Sequence, residues 1–126
     1  MNIQRHLSSS PKALPPSDQL GFGQHFSDHW FHSKYSEDQG WHESTIEPLK
    51  PFPIHPGAAV LHYAQTLFEG MKAFRQKDGS ISLFRPDFNY RRFSDSAERL
   101  CMACPPRELF LQAVHELVKT DRKSVV

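Results

Sequence analysis

The segment Met71–Pro86 constrains the fold more than any other part of the chain. MKAFRQ (71–76) and SISLFR (80–85) flank Lys77-Asp78-Gly79, which reads as a β-hairpin with a Gly-containing turn. Pro86 follows at once, and proline is favoured in the first turn of a helix because its missing N–H is not needed there. Phe93, Ala97, Leu100, Cys101 and Cys104 then form an apolar stripe, and Pro105-Pro106 is expected to stop the helix. A last helix is expected from about Glu108 to Lys119, burying Leu109, Phe110, Ala113, Val114, Leu117 and Val118. Strands followed by helices predict an α+β fold, an antiparallel sheet with a hairpin and then two helices.

The preceding residues read less cleanly. FSDHWFHSKY (26–35) carries aromatics on both parities, which suits a strand packed on two faces. Asp38-Gln39-Gly40 is a turn signal. IEPLKPFPIHP (46–56) is too rich in proline for a central strand and reads as an extended edge or connection. AAVLHYAQTLFE (58–69) has apolar residues at helical spacing but is short. Residues 1–20 are a polar lead-in, kept extended by Pro11, Pro15 and Pro16. With Arg5, Lys12 and no acid before Asp18 it mildly resembles a transit peptide, yet proline would break the amphipathic helix such a peptide needs.

Composition narrows the function classes. A chain of 126 residues is one domain's worth of sequence, read as a lead-in (1–20), a domain (21–121) and a tail (122–126). A formal charge of +1 argues against a nucleic-acid footprint or a polybasic membrane patch. No apolar run approaches the ~20 residues of a spanning helix, and two cysteines cannot staple a secreted scaffold. The expectation is a soluble cytoplasmic protein, with a mitochondrial one as the alternative.

Two constellations are set aside. His25, His29 and His32 suggest a metal cluster, but on a strand 25 and 29 share a face that 32 does not. Cys101-Met102-Ala103-Cys104 is a CxxC, but it falls at the end of a helix rather than its start, so both thiols are expected to be buried and inert. Asp95 and Glu98 are expected to be solvated beside Arg99. No metal site is expected.

Three blocks carry a family resemblance: LGFGQHFSDH (20–29), HPGAAVLHYAQTLFEGMKAF (55–74) and SLFRPDFNYRRFSDSAERL (82–100). In order and spacing they resemble the branched-chain amino acid aminotransferases, pyridoxal-phosphate enzymes of fold type IV, from about residue 11 to about 121. The resemblance implies the small amino-terminal domain of an enzyme whose active site lies between two domains. It implies pyridoxal 5'-phosphate as cofactor, leucine, isoleucine or valine and 2-oxoglutarate as substrates, and a homodimer for the full-length protein. Arg92 matches the position that binds the cofactor phosphate, and a guanidinium fork suits a phosphate. Arg91 points about 100° away on a helix, so only one of the pair can serve one site. By itself either would be a solvated helix residue.

Phe22, Tyr63 and Phe68 match aromatic positions that line the family's substrate side-chain pocket; without the resemblance they would read as core. Glu69-Gly70 reads as architecture: glycine permits close approach or a left-handed backbone, and Glu69 needs a partner if buried. None of the lysines at 12, 34, 50, 72, 77, 119 and 123 matches the family's Schiff-base lysine, which would lie on polypeptide beyond this chain, as would the acid near the pyridine nitrogen. No catalytic residue is therefore expected here, and the chain alone is expected to be inactive. The alternatives are another fold-type IV enzyme (a D-amino acid transaminase or an aminodeoxychorismate lyase) or a non-catalytic truncated module for binding or dimerisation. Residues 122–126 break from the family pattern. DRKSVV is also what a common sequencing-adapter string encodes, so the expectation is a truncated gene reading with adapter read-through, against a genuine short isoform.

Overall fold

In the computed structural model, residues 2–13, 15–19 and 21–121 are described; the tail 122–126 singled out by the sequence lies outside them. Strands β1 (Gln4–Arg5), β2 (His29–Ser36) and β3 (Gly40–Pro48) form one sheet in the order β1-β3-β2. β2 and β3 are antiparallel, whereas β1 adds in parallel, Gln4 opposite Thr45 and Arg5 opposite Ile46. A short helix α1 (Ala59–His62) precedes the two-stranded hairpin β4 (Ala73–Arg75) and β5 (Ile81–Leu83). Helices α2 (Pro86–Arg99) and α3 (Arg107–Asp121) complete the α+β fold.

The β2–β3 hairpin turns at residues 37–39, and Gly40 takes a φ of +67° that a side chain would resist. Its ladder pairs His32 with Thr45 and then Lys34 with His42, so Glu43 and Ser44 face Ser33 alone. Glu43 absorbs this bulge with a left-handed backbone. Trp30 and Phe31 explain the aromatics on both parities. Phe31 packs into the core, while Trp30 stacks at 5.4 Å on Phe52 from the proline-rich stretch that follows β3.

That core is small: Ile3, Ile46, Leu109 and Ala113, with Phe31, Trp41 and Leu117 packed against it. Helix α3 therefore closes over the three-stranded sheet. A second seam holds α2 to α3, with Phe110 lying 5.5 Å from Tyr90 and 5.3 Å from Phe93. Arg107 Nε donates to Asp87 at 2.8 Å beside it. The α2–α3 connection is pinned by two donors, Trp41 Nε1 to the Cys104 carbonyl (3.1 Å) and Tyr90 Oη to the Pro105 carbonyl (3.2 Å).

Several expectations need correction. The run 46–56 divides: residues 49–56 are a connection as expected, but 46–48 end the central strand β3, where Ile46 is fully buried. The prolines act after Ile46: Pro48 ends the strand and the rest lie beyond it. In 58–69 only four residues are helical, because Ala64 turns left-handed (φ 50°). Helix α2 stops at Arg99, well before Pro105-Pro106. The Cys101 N–H donates to the Glu98 carbonyl (3.1 Å) and the Met102 N–H to the Ala97 carbonyl (2.9 Å). This is a Schellman ending, with Cys101 at the left-handed position (φ 51°) that glycine usually holds. Cys101 is consequently exposed and Cys104 half-buried, so the CxxC is not a buried thiol pair. Cys101→Gly should stabilise the fold by about 1 kcal/mol by removing the left-handed cost, read as a higher urea midpoint at unchanged slope.

Candidate functional site

Helix α2 begins where β5 delivers the chain to Arg85, which adopts a left-handed backbone (φ 50°, ψ 51°) at the helix N-cap. This places the Arg85 guanidinium 3.7 Å from the centre of the Phe88 ring one turn later, a cation–π contact. Between the hairpin and the first turns of α2 lies a cavity of about 360 Å³. Phe74, Phe84 and Phe88 supply apolar wall, Gly70 and Asn89 lie on its lining, and Lys72, Arg85 and Arg92 bring three cations to it. Arg91 is exposed and does not line it.

Arg92 is fixed at this cavity by Glu69. Its Nε donates to Glu69 Oε2 at 2.9 Å, and Nη2 makes a second, parallel bond to Oε1. The carboxylate is further held by Asn89, whose Nδ2 donates to Glu69 Oε1 and to the Gly70 carbonyl, both at 2.9 Å. Asn89 and Arg92 are three apart on α2, so one helix face grips Glu69 and Gly70, in the connection before β4, at two points. The pair is asymmetric: the Glu69 side chain is 8% exposed and that of Arg92 67%. The Arg92 bond, with help from Asn89 and against the cost of burial, holds the Glu69 carboxyl below its ordinary range, while Glu69 raises Arg92 above its own. Two of the five guanidinium N–H groups face Glu69, which leaves three for another acceptor.

The aromatic candidates stand apart from this cavity. Phe22 lies fully exposed in the turn around Gly21 and Gly23, Tyr63 ends α1 at 85% exposed, and Phe68 is 90% exposed. None of the three is among the cavity's lining residues. Phe68 comes nearest: a Cβ placed on Gly70 would meet its ring at 3.5 Å. That is ordinary contact, and Gly70 has no left-handed backbone, so neither expected reason for glycine at 70 operates among the described residues. Gly70 serves the site through its carbonyl, the acceptor for Asn89.

The three histidines are dispersed in role. His25 is exposed, His32 Nε2 lies 3.1 Å from Glu47, and His29 is buried with Nε2 accepting the Ser8 N–H at 2.9 Å. Among the described residues no group of three or more His, Cys, Asp or Glu is placed to hold a metal ion, and no helix is long and apolar enough to cross a membrane. Sequence reasoning left the partner of Glu69 unnamed and did not single out Asn89. The i, i+3 spacing of Asn89 and Arg92 was the available signal; the separation of 23 positions between Glu69 and Arg92 gave none.

No protein-family model matches the chain. It is 42% identical to the branched-chain-amino-acid transaminase 1 of Bacillus subtilis, over 95% of this chain and 34% of that protein. It is 46% identical to a probable branched-chain-amino-acid aminotransferase of Streptomyces coelicolor, over 94% of this chain and 35% of that protein. A branched-chain-amino-acid aminotransferase of Mycolicibacterium smegmatis is 43% identical over 83% of this chain and 28% of its own length. The chain thus spans about a third of the length of the curated relatives it matches.

Proposed function

Since this chain is similar along nearly its whole length to an amino-terminal part of the branched-chain amino acid aminotransferases, we propose that it contributes the cofactor-phosphate grip and part of the substrate pocket to such an enzyme. The reaction would move an amino group between leucine, isoleucine or valine and 2-oxoglutarate, with pyridoxal 5'-phosphate as cofactor and a homodimer as the full-length assembly. The observation that carries this reading is the Arg92 fork, held by Glu69 at the edge of a cavity that also receives Lys72 and Arg85.

The donor set fits the group. A phosphate dianion needs several N–H donors and positive potential, and Arg92 keeps three N–H groups clear of Glu69 while two further cations line the same cavity. Its wall of three phenylalanine rings suits the flat apolar face of a pyridine. When bound, pyridoxal phosphate supplies an electron sink that lets the α-proton of an amino acid leave and return. Arg92 would anchor the phosphate, and the full charge of its guanidinium at any working pH would keep that anchor independent of proton transfer. Phe22, Tyr63 and Phe68 would meet the substrate side chain, and their exposure leaves them available for it. Each methylene they cover is worth about 0.8 kcal/mol, which is enough to favour branched aliphatic chains.

Pyridoxine 5'-phosphate tests the grip without an aldehyde that surface lysines could trap. By equilibrium dialysis it should bind at least about tenfold tighter than pyridoxine, the factor expected of charge-assisted hydrogen bonds. Arg92→Gln should abolish the difference, and a difference that survives the substitution overturns the reading. Mixed with leucine, 2-oxoglutarate and pyridoxal phosphate, the chain alone should form no glutamate; turnover would place the covalent lysine among its seven.

A further inference from the structure

We propose that Glu69 is a positioning residue for anion binding: its buried carboxylate fixes the Arg92 guanidinium so that the three remaining N–H groups are held ready for a phosphate. The inference rests on the reading of Arg92 as the phosphate ligand and adds a carboxylate to an anion site, where charge alone would argue against one.

The geometry has three parts. The Glu69 carboxylate is nearly sequestered from water, while the Arg92 side chain it holds is two-thirds exposed. An exposed arginine normally samples many rotamers, and here both Nε and Nη2 are committed to one carboxylate, which fixes the plane of the fork. The carboxylate is itself immobilised, because Asn89 Nδ2 donates to its Oε1 and to the Gly70 carbonyl, each at 2.9 Å. Orientation thus passes from the backbone at Gly70 through Asn89 and Glu69 to Arg92, which lines the cavity with Lys72 and Arg85.

Two effects of Glu69 on an anion oppose each other. Its negative charge repels the ligand, and its hydrogen bonds prepare the receptor. Around a guanidinium as exposed as that of Arg92, water screens the repulsion strongly. Once the carboxylate becomes an amide, by contrast, its single oxygen can hold only one of the two Arg92 N–H groups, so much of the torsional freedom of the long side chain returns and must be lost again on binding. Preparation therefore outweighs repulsion, and the two effects predict opposite signs for one substitution.

The test is pyridoxine 5'-phosphate binding to the 126-residue chain and its variants, with the Arg92 Nε–Hε resonance as a second readout and thermal melts to confirm that each variant is folded. Glu69→Gln should weaken binding by about three- to tenfold and move the Arg92 resonance toward that of a free guanidinium. Glu69→Asp, which keeps the charge on a shorter arm, should fall between. In an Arg92→Gln background, Glu69→Gln should change nothing further. Unchanged or tighter binding by Glu69→Gln overturns the positioning role, because neutralisation alone would then account for Glu69. If Arg92→Gln itself leaves binding intact, the phosphate reading of Arg92 fails, a distinct result from failure of the Glu69 inference.

Discussion

Leu109→Ala is expected to cost about 2–5 kcal/mol, the range for truncating a buried leucine whose surroundings cannot collapse. Leu109 is 1% exposed and occupies the centre of a core with few other members, Ile3, Ile46 and Ala113. It lies on α3, so the truncation loosens the helix from the sheet, and the aromatic seam to α2 does not refill the lost contact with Ile46 and Ile3. Against a total of about 5–15 kcal/mol for an ordinary domain, that loss is a large share of the stability. Urea denaturation followed by tryptophan fluorescence measures it, since Trp41 packs against the same cluster. Leu61→Ala, at an exposed leucine of α1, should shift the midpoint by a small fraction of that amount. Equal midpoints for the two variants would mean that α3 does not close over the sheet as described.

The parts of the fold that local chemistry dictates were readable from residue order. The Lys77-Asp78-Gly79 turn, the helix start at Pro86 and the apolar periodicity of α3 each depend on a few neighbouring residues, and each is present. What escaped depends on distant partners or on ordinary residues in uncommon conformations. Ile46 is buried because β1, drawn from the extended lead-in, and β2 flank it, and a two-residue parallel pairing has no sequence signature. The end of α2 was hidden because Cys101, not glycine, holds the left-handed position. Helix α1 is cut short by Ala64 for the same kind of reason. At the site, Arg92 could be placed on a helix from the pattern alone, and the resemblance gave it a role. Its dependence on Glu69 could not be foreseen, since nothing in residues 70–91 announces that the two ends meet. The positions of Phe22, Tyr63 and Phe68 were named by resemblance, and their exposure follows from lying in a turn, at a helix end and in an extended connection.

The same ion pair that orients Arg92 should govern how the chain responds to mutation and to acid. Arg92→Met removes the cation and leaves the Glu69 carboxylate with only the Asn89 amide and the Gly70 backbone as donors, a loss on the order of 1 kcal/mol for a partly paired acceptor. Combining Arg92→Met with Glu69→Gln removes the stranded charge, so the double variant should be more stable than the single one. That inversion of additivity marks a coupled pair. The pH dependence has a definite sign. Glu69 is held below its ordinary value of about 4.5, so the unfolded chain takes up this proton more readily than the folded one. The stabilisation is therefore complete above that ordinary value and is lost as pH falls through the lower folded value. Glu43, Glu47, Asp38 and Asp78 are lowered as well, so acid weakens every variant. The contribution of Glu69 is isolated by the difference between the wild-type chain and Glu69→Gln in urea midpoints. It should be constant near neutral pH and shrink as the solution is acidified below about pH 4. A difference that stays flat to pH 3, or that grows, would show that the carboxylate is not ionised against Arg92 in the folded chain.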